Sequence, residues 1–154
     1  MTAASEPRGD RCIFCAAIDP GSPSPLLIFR GATCFVILNL YPYNNGHLMV
    51  VPVRHVGTLA AATPQELLEL IQLTRTAEIA LTETYHPHGM NVGLNLGRPA
   101  GAGILDHLHV HLVPRWDGDT NFMSVVGNVR VVPEEPEQTA MRLRPVFERL
   151  SKGG

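Results

Sequence analysis

The chain has 154 residues, 45% of them hydrophobic and 17% charged. That predicts one globular domain with a sizeable core, not a disordered segment. With a formal net charge of −2 and no run of Lys or Arg longer than two, a general nucleic-acid binder is excluded. No apolar run approaches the roughly 20 residues a membrane-spanning helix needs.

The opening stretch, MTAASEPRGDR, has no apolar signal core. Residues 1–10 therefore read as a flexible tail ahead of a single domain at 11–154, and the cytoplasm is the expected compartment. The chain has three cysteines, Cys12, Cys15 and Cys34. An odd number argues against a disulfide framework. CIFC is a C-x-x-C pair suited to metal or redox work, and Cys34 in TCFVIL reads as a small buried hydrophobe. DPGSPSP is a loop, LLIF and CFVILNL are strands joined by the turn RGAT, and YPYNNGH is a second loop. HLMVVPV is a third strand.

The clearest helix follows. Thr63 is its N-cap, Pro64 takes its first position, and Glu66 completes a capping box. Leu67, Leu70, Ile71, Thr74, Ala77 and Leu81 are expected on one buried face. The helix should stop before HPHG, because a residue before Pro disfavours the α region. MNVGLNLG is a fourth strand, RPAGAG a glycine-rich loop and LHVHLVP a fifth strand. MSVVGNVRVV offers a sixth. The tail EQTAMRLRPVFERL reads as a helix that Pro145 breaks or kinks. Strands interrupted by one long helix imply an α+β fold with a mostly antiparallel sheet.

The stretch DHLHVHLVPRW, residues 106–116, carries the chemistry. The chain has seven histidines, and His107, His109 and His111 fall within five residues. On a strand these three share one face, and Leu108, Val110 and Leu112 share the other. At about 3.3 Å per residue the outer pair are separated by roughly 13 Å, whereas metal–nitrogen bonds are about 2 Å. One metal cannot easily hold all three, so they serve at least two tasks. Cys12 and Cys15 supply two thiolates, and a structural zinc would need two further ligands. His47, His55, His86, His88 and the triad are all candidates, and spacing does not choose among them.

HLHVHLV resembles the histidine-triad (HIT) pattern of alternating His and apolar residues. NNGHLMVVPVRHV, NLGRPAG and CIFC resemble further segments of that family, the last in its zinc-binding bacterial members. LNLYPYNNGHLMVVP, PHGMNVGLNLG and VPRWDGDTNFM are similar to the fragile-histidine-triad branch, which includes bacterial diadenosine tetraphosphate phosphorylases. The resemblance implies a HIT-like fold: a five-stranded antiparallel sheet with one long helix and a C-terminal helix, paired as a homodimer. It implies a nucleotidyl-histidine intermediate formed by His109 at the α-phosphate of a dinucleoside polyphosphate. His111 and His47 would assist. Imidazole suits this work, being neutral and nucleophilic near pH 7 once a carbonyl accepts the proton of its other nitrogen.

The same resemblance makes Cys12, Cys15, His55 and His107 the ligands of a structural zinc tying the N-terminal arm to the catalytic strand. Asn39 matches a ribose-contacting position, and Asn95 lies where the family carries a polar residue near the phosphates. Trp116 is either a packing anchor or a base-stacking residue. AGAGILDHLHVH departs from the family, because the glutamine expected before the triad is missing. That loss tips the expected acceptor from water to inorganic phosphate, which the loop at Gly101, Ala102 and Gly103 would bind through backbone N–H groups. The rival readings are a nucleoside phosphoramidase of the same family, a nucleotide sensor with incidental turnover, and a zinc-stabilised interaction module.

Overall fold

A computed structural model describes residues 12–39, 45–97, 100, 106–119 and 134–153. The tail at 1–10, residues 41–44 of the second loop, Gly101, Ala102, Gly103 and the sixth strand at 123–132 lie outside the described residues. In chain order the elements are α1 (Ile13–Ala17), β1 (Leu27–Arg30), β2 (Cys34–Leu38), β3 (Leu48–Pro52), α2 (Pro64–Tyr85), β4 (Gly89–Gly93), β5 (Val110–Arg115) and α3 (Pro136–Gly153). The strands form one five-stranded sheet in the order β1-β2-β3-β5-β4, and every neighbouring pair is antiparallel. The expected α+β architecture is the observed one. Among the described residues no helix is long and apolar enough to cross a membrane.

Local chemistry sets the limits of α2. The Thr63 hydroxyl accepts from the Glu66 N–H at 3.1 Å, and the Glu66 carboxylate accepts from the Thr63 N–H at 2.8 Å. The helix ends where His86 turns left-handed at φ 51°, ahead of Pro87. Its buried face is rotated from the expected one. Leu70, Leu73, Ala77, Ala80 and Leu81 are buried, whereas Ile71 is 64% exposed. The stripe runs through Glu66, which is buried because Arg54 grips it through Nε at 3.0 Å and NH2 at 2.9 Å. The buried positions still follow helical spacing, but the stripe starts from Glu66, a charged residue whose burial its ion pair with Arg54 permits.

Helix α3 runs unbroken through Pro145. The ring removes one hydrogen bond, which frees the Met141 carbonyl. Both residues sit on the exposed side of the helix, where that carbonyl is open to solvent, while Ala140, Leu143 and Phe147 remain buried.

Two apolar clusters lie on the two faces of the sheet. The larger one joins Val36, Leu38, Leu48, Val50, Leu108, Val110 and Leu112 to α2 and α3. The smaller one joins Phe35, Ile37, Met49 and Val51 to Cys12, Phe14 and Ala17 around α1. The period-2 alternation of strands accounts for this division. It also places the histidines of the triad on the side opposite Leu108, Val110 and Leu112.

The triad strand is shorter than expected. β5 begins at Val110, and its ladder with β3 ends at Val50↔Val110. Further pairing would run toward Pro52, which has no N–H to give. Other partners take over there: the Pro52 carbonyl accepts from His107 Nε2 at 2.8 Å, and Leu108 N–H donates to Val56 O at 2.7 Å. His107 and His109 therefore stand just ahead of the paired strand, fixed by these bonds.

Candidate functional site

Helix α1 begins at Cys12, and its single turn carries Cys15 back alongside. The Cys12 Sγ lies 3.2 Å from His107 Nδ1, and the Cys15 Sγ lies 3.3 Å from His55 Nδ1 and 3.7 Å from His107 Nδ1. The four ligand atoms all lie within 4.8 Å of one another, so Cys12, Cys15, His55 and His107 could hold a metal ion. The hydrogen bond from His107 Nε2 to Pro52 O puts the proton on Nε2 and leaves the Nδ1 lone pair facing the thiols. Burial holds His107 down to about 4, so it is neutral, as a ligand must be. Burial, with Cys12 beside it, pushes Cys15 up to about 11. Among the described residues, the buried His55 Nε2 has no hydrogen-bond partner.

The other two triad residues face a different task. His109 Nδ1–H donates to the His107 carbonyl at 2.9 Å. That bond selects one tautomer and puts the lone pair on Nε2. The His111 ring lies 4.8 Å from the His109 ring, centroid to centroid. His111 Nδ1 in turn meets His47 Nε2 at 3.0 Å, and Asn39 Nδ2 meets His47 Nδ1 at 3.2 Å. If the Asn39 amide donates, each proton in the chain is assigned. His47 Nδ1 accepts, His47 Nε2–H donates to His111 Nδ1, and His111 carries its own proton on Nε2. The positive φ of 84° at Gly46 delivers His47 into this chain. A Cβ there would also crowd Leu81 Cδ2 at 3.0 Å.

Burial dominates the electrostatics. It lowers His109 and His111, and the neighbouring His109 adds to the depression of His111. Burial and His111 together bring His47 down to about 4. The three imidazoles are therefore neutral at pH 7, His109 with a lone pair on Nε2 and His111 with an N–H on Nε2.

Of the remaining candidates, Asn39 is drawn to His47. Asn95 is exposed, beyond the end of β4. Trp116 follows β5 on a tight turn. Its backbone N–H donates to the Asp119 carboxylate at 2.8 Å, and the buried Asp119 is bound by Arg115 through NH2 at 3.0 Å. Cys34 is fully buried, and burial pushes its thiol up to about 11, as befits an inert core residue. Two participants were not foreseen from the sequence. Pro52 contributes its carbonyl. Phe14, 1% exposed, has its ring against both His107 and His109. The only signal for Phe14 is its place between the two cysteines.

Residues 11–118 match the HIT domain family model. The chain is 50% identical over 124 residues to an AP-4-A phosphorylase of Mycobacterium tuberculosis; the match covers 80% of this chain and 64% of that relative's length. It is 27% identical over 133 residues to an asymmetrical bis(5'-nucleosyl)-tetraphosphatase of Schizosaccharomyces pombe, covering 75% of this chain and 72% of the relative. A Zn-bound histidine triad family protein from Mycobacterium smegmatis superposes with a TM-score of 0.75 at 26% identity, covering 95% of this chain and 99% of that one. With its triad divided between a metal-ligand cluster and a buried imidazole chain, and with this match over most of its length, the chain belongs to the HIT domain family.

Proposed function

We propose that this protein is a dinucleoside polyphosphate phosphorylase that works through a nucleotidyl-histidine intermediate on His109. The observation that carries the reading is the bond from His109 Nδ1–H to the His107 carbonyl. It supplies a neutral imidazole whose Nε2 lone pair is ready to attack, without a separate base to deprotonate it. In the first step Nε2 bonds to the α-phosphorus as the bond to the bridging oxygen breaks, and the remaining nucleotide leaves. The His111 N–H, set by His47 and Asn39, donates to oxygens where charge collects. In the second step an acceptor oxygen displaces Nε2 and releases the nucleotide. Asn39, Asn95, Trp116 and the loop at Gly101, Ala102 and Gly103 are assigned to substrate binding.

The metal in this reading is zinc. With zinc–sulfur bonds of about 2.3 Å and zinc–nitrogen bonds of about 2.0–2.1 Å, tetrahedral geometry spaces S and N ligands by about 3.5 Å. The spacings of 3.2, 3.3 and 3.7 Å suit that ion. Two thiolates and two imidazoles leave no open position, so the zinc is structural. The reduced C-x-x-C also fits a cytoplasmic setting.

Inorganic phosphate is the preferred acceptor, given the missing glutamine and the likeness to a phosphorylase. Diadenosine tetraphosphate with phosphate is then expected to yield ADP and ATP, with phosphate accelerating the reaction. Product analysis by anion exchange decides it. AMP and ATP at every phosphate concentration would establish hydrolysis, the reading favoured by the likeness to the S. pombe tetraphosphatase. A homodimer is also proposed, since β4 ends the sheet among the described residues with an exposed strand, and such edges invite pairing. Light scattering at micromolar concentration should give twice the chain mass; a monomer would refute the pairing.

A further inference from the structure

The C-x-x-C does more than close a metal site, because of what lies between its cysteines. Phe14 sits on the one turn of α1 that Cys12 and Cys15 pin to His55 and His107. Its ring meets His107 nearly edge-on, with centroids 5.3 Å apart and planes at 72°, and meets His109 at 5.0 Å and 51°. Both are favourable distances for paired aromatic rings. Among the described residues, His109 is otherwise restrained by one hydrogen bond to the His107 carbonyl and by the neighbouring His111 ring. A single bond at Nδ1 leaves the ring free to rock about that contact. Attack on phosphorus tolerates little of this, since reacting atoms must be aligned at about 3–3.5 Å.

We propose that Phe14 is a positioning residue for His109: the metal-held turn presses its ring against the nucleophile and fixes the approach of Nε2. The proposal rests on His109 being the nucleophile, as argued above. It gives the structural metal a route to the chemistry, through the residue it clamps. A purely structural Phe14 would only fill the small cluster with Ala17, Phe35, Ile37, Met49 and Val51, and its replacement would then cost stability alone.

The test compares the zinc-loaded full chain with Phe14→Leu, which keeps an apolar side chain but removes the flat ring. Zinc content should stay equal to wild type, and KM for diadenosine tetraphosphate should stay within about twofold, while kcat falls about tenfold. In 15N-histidine spectra, wild-type His109 should show the Nδ1–H tautomer alone, with a nuclear Overhauser contact to the Phe14 ring. Phe14→Leu should show mixed or exchange-broadened tautomers. Unchanged kcat with a single unchanged tautomer would overturn the proposal, as would a kcat loss that only tracks zinc loss. Should Phe14→Leu not fold, Phe14→Met is read the same way, and absence of the Overhauser contact in wild type is decisive against it. If the wild type turns over no dinucleoside polyphosphate, the enzymatic reading fails, and the tautomer spectra still decide whether Phe14 holds His109.

Discussion

Replacement of His109 by alanine is expected to lower turnover of diadenosine tetraphosphate by at least about a hundredfold while nucleotide binding largely survives. No nearby group can take over the covalent step. Donation from His109 to the His107 carbonyl puts the lone pair on His109 Nε2. His111 Nδ1 and His47 Nε2 are occupied with each other at 3.0 Å. Loss of an interaction used only in the transition state lowers kcat and kcat/KM together and leaves ground-state affinity in place. Isothermal titration with a non-reacting nucleotide, beside single-turnover kinetics, separates the two quantities. Near-normal rates in His109→Ala would remove His109 as the nucleophile. Proton occupancy adds a second check. Burial holds His109 below the ordinary histidine value of about 6.5. A depressed value keeps the ring neutral as pH falls through 6.5, so wild-type turnover should not lose its nucleophile until the medium is more acidic than that.

How much of this was legible in the sequence depends on how local each cause is. The α2 capping box lies within four residues, and Thr63 and Glu66 form it as their spacing implies. The alternation of triad histidines with Leu108, Val110 and Leu112 is equally local, and strand rise alone argued that one metal could not easily hold all three. The buried face of α2 was less legible. Counting from Leu67 put Ile71 inward, whereas the buried stripe includes Glu66, paired with Arg54, and leaves Ile71 exposed. The start of β5 was hidden for a similar reason. Pro52, in a strand distant along the chain, ends the ladder and then bonds His107 through its carbonyl. Spacing could not choose His55 and His107 from the possible ligands, because their contacts reach across 40 and 95 residues of chain; the family resemblance named them. Phe14 was the least legible of all, because an aromatic residue beside a cysteine pair reads first as ordinary core.

Removing the proposed zinc should produce the largest change in stability. Chelation, or the double replacement Cys12→Ser and Cys15→Ser, is expected to lower the melting temperature by about 10 °C, on the order of 3 kcal/mol for a domain of this size. The larger cluster under α2 and α3 contains none of the four ligands, so the sheet should remain folded. What is lost is the hold on α1. That turn covers Phe35, Ile37, Met49 and Val51 through Cys12, Phe14 and Ala17, and freeing it exposes apolar surface while leaving buried thiols and imidazoles without a cation. The expected loss is therefore well below that of a zinc finger, whose whole fold depends on its ion. The pH dependence follows from the thiols. Burial and Cys12 push Cys15 up to about 11 without metal, whereas metal binding requires thiolates. Up to about two protons then leave per ion bound, and apparent affinity should fall by as much as about a hundredfold for each unit of pH lost. Metal titrations in buffers of different ionisation enthalpy count those protons directly. Elemental analysis of protein purified without chelator should find one zinc per chain, and a metal-free chain melting at the wild-type temperature would rule the site out.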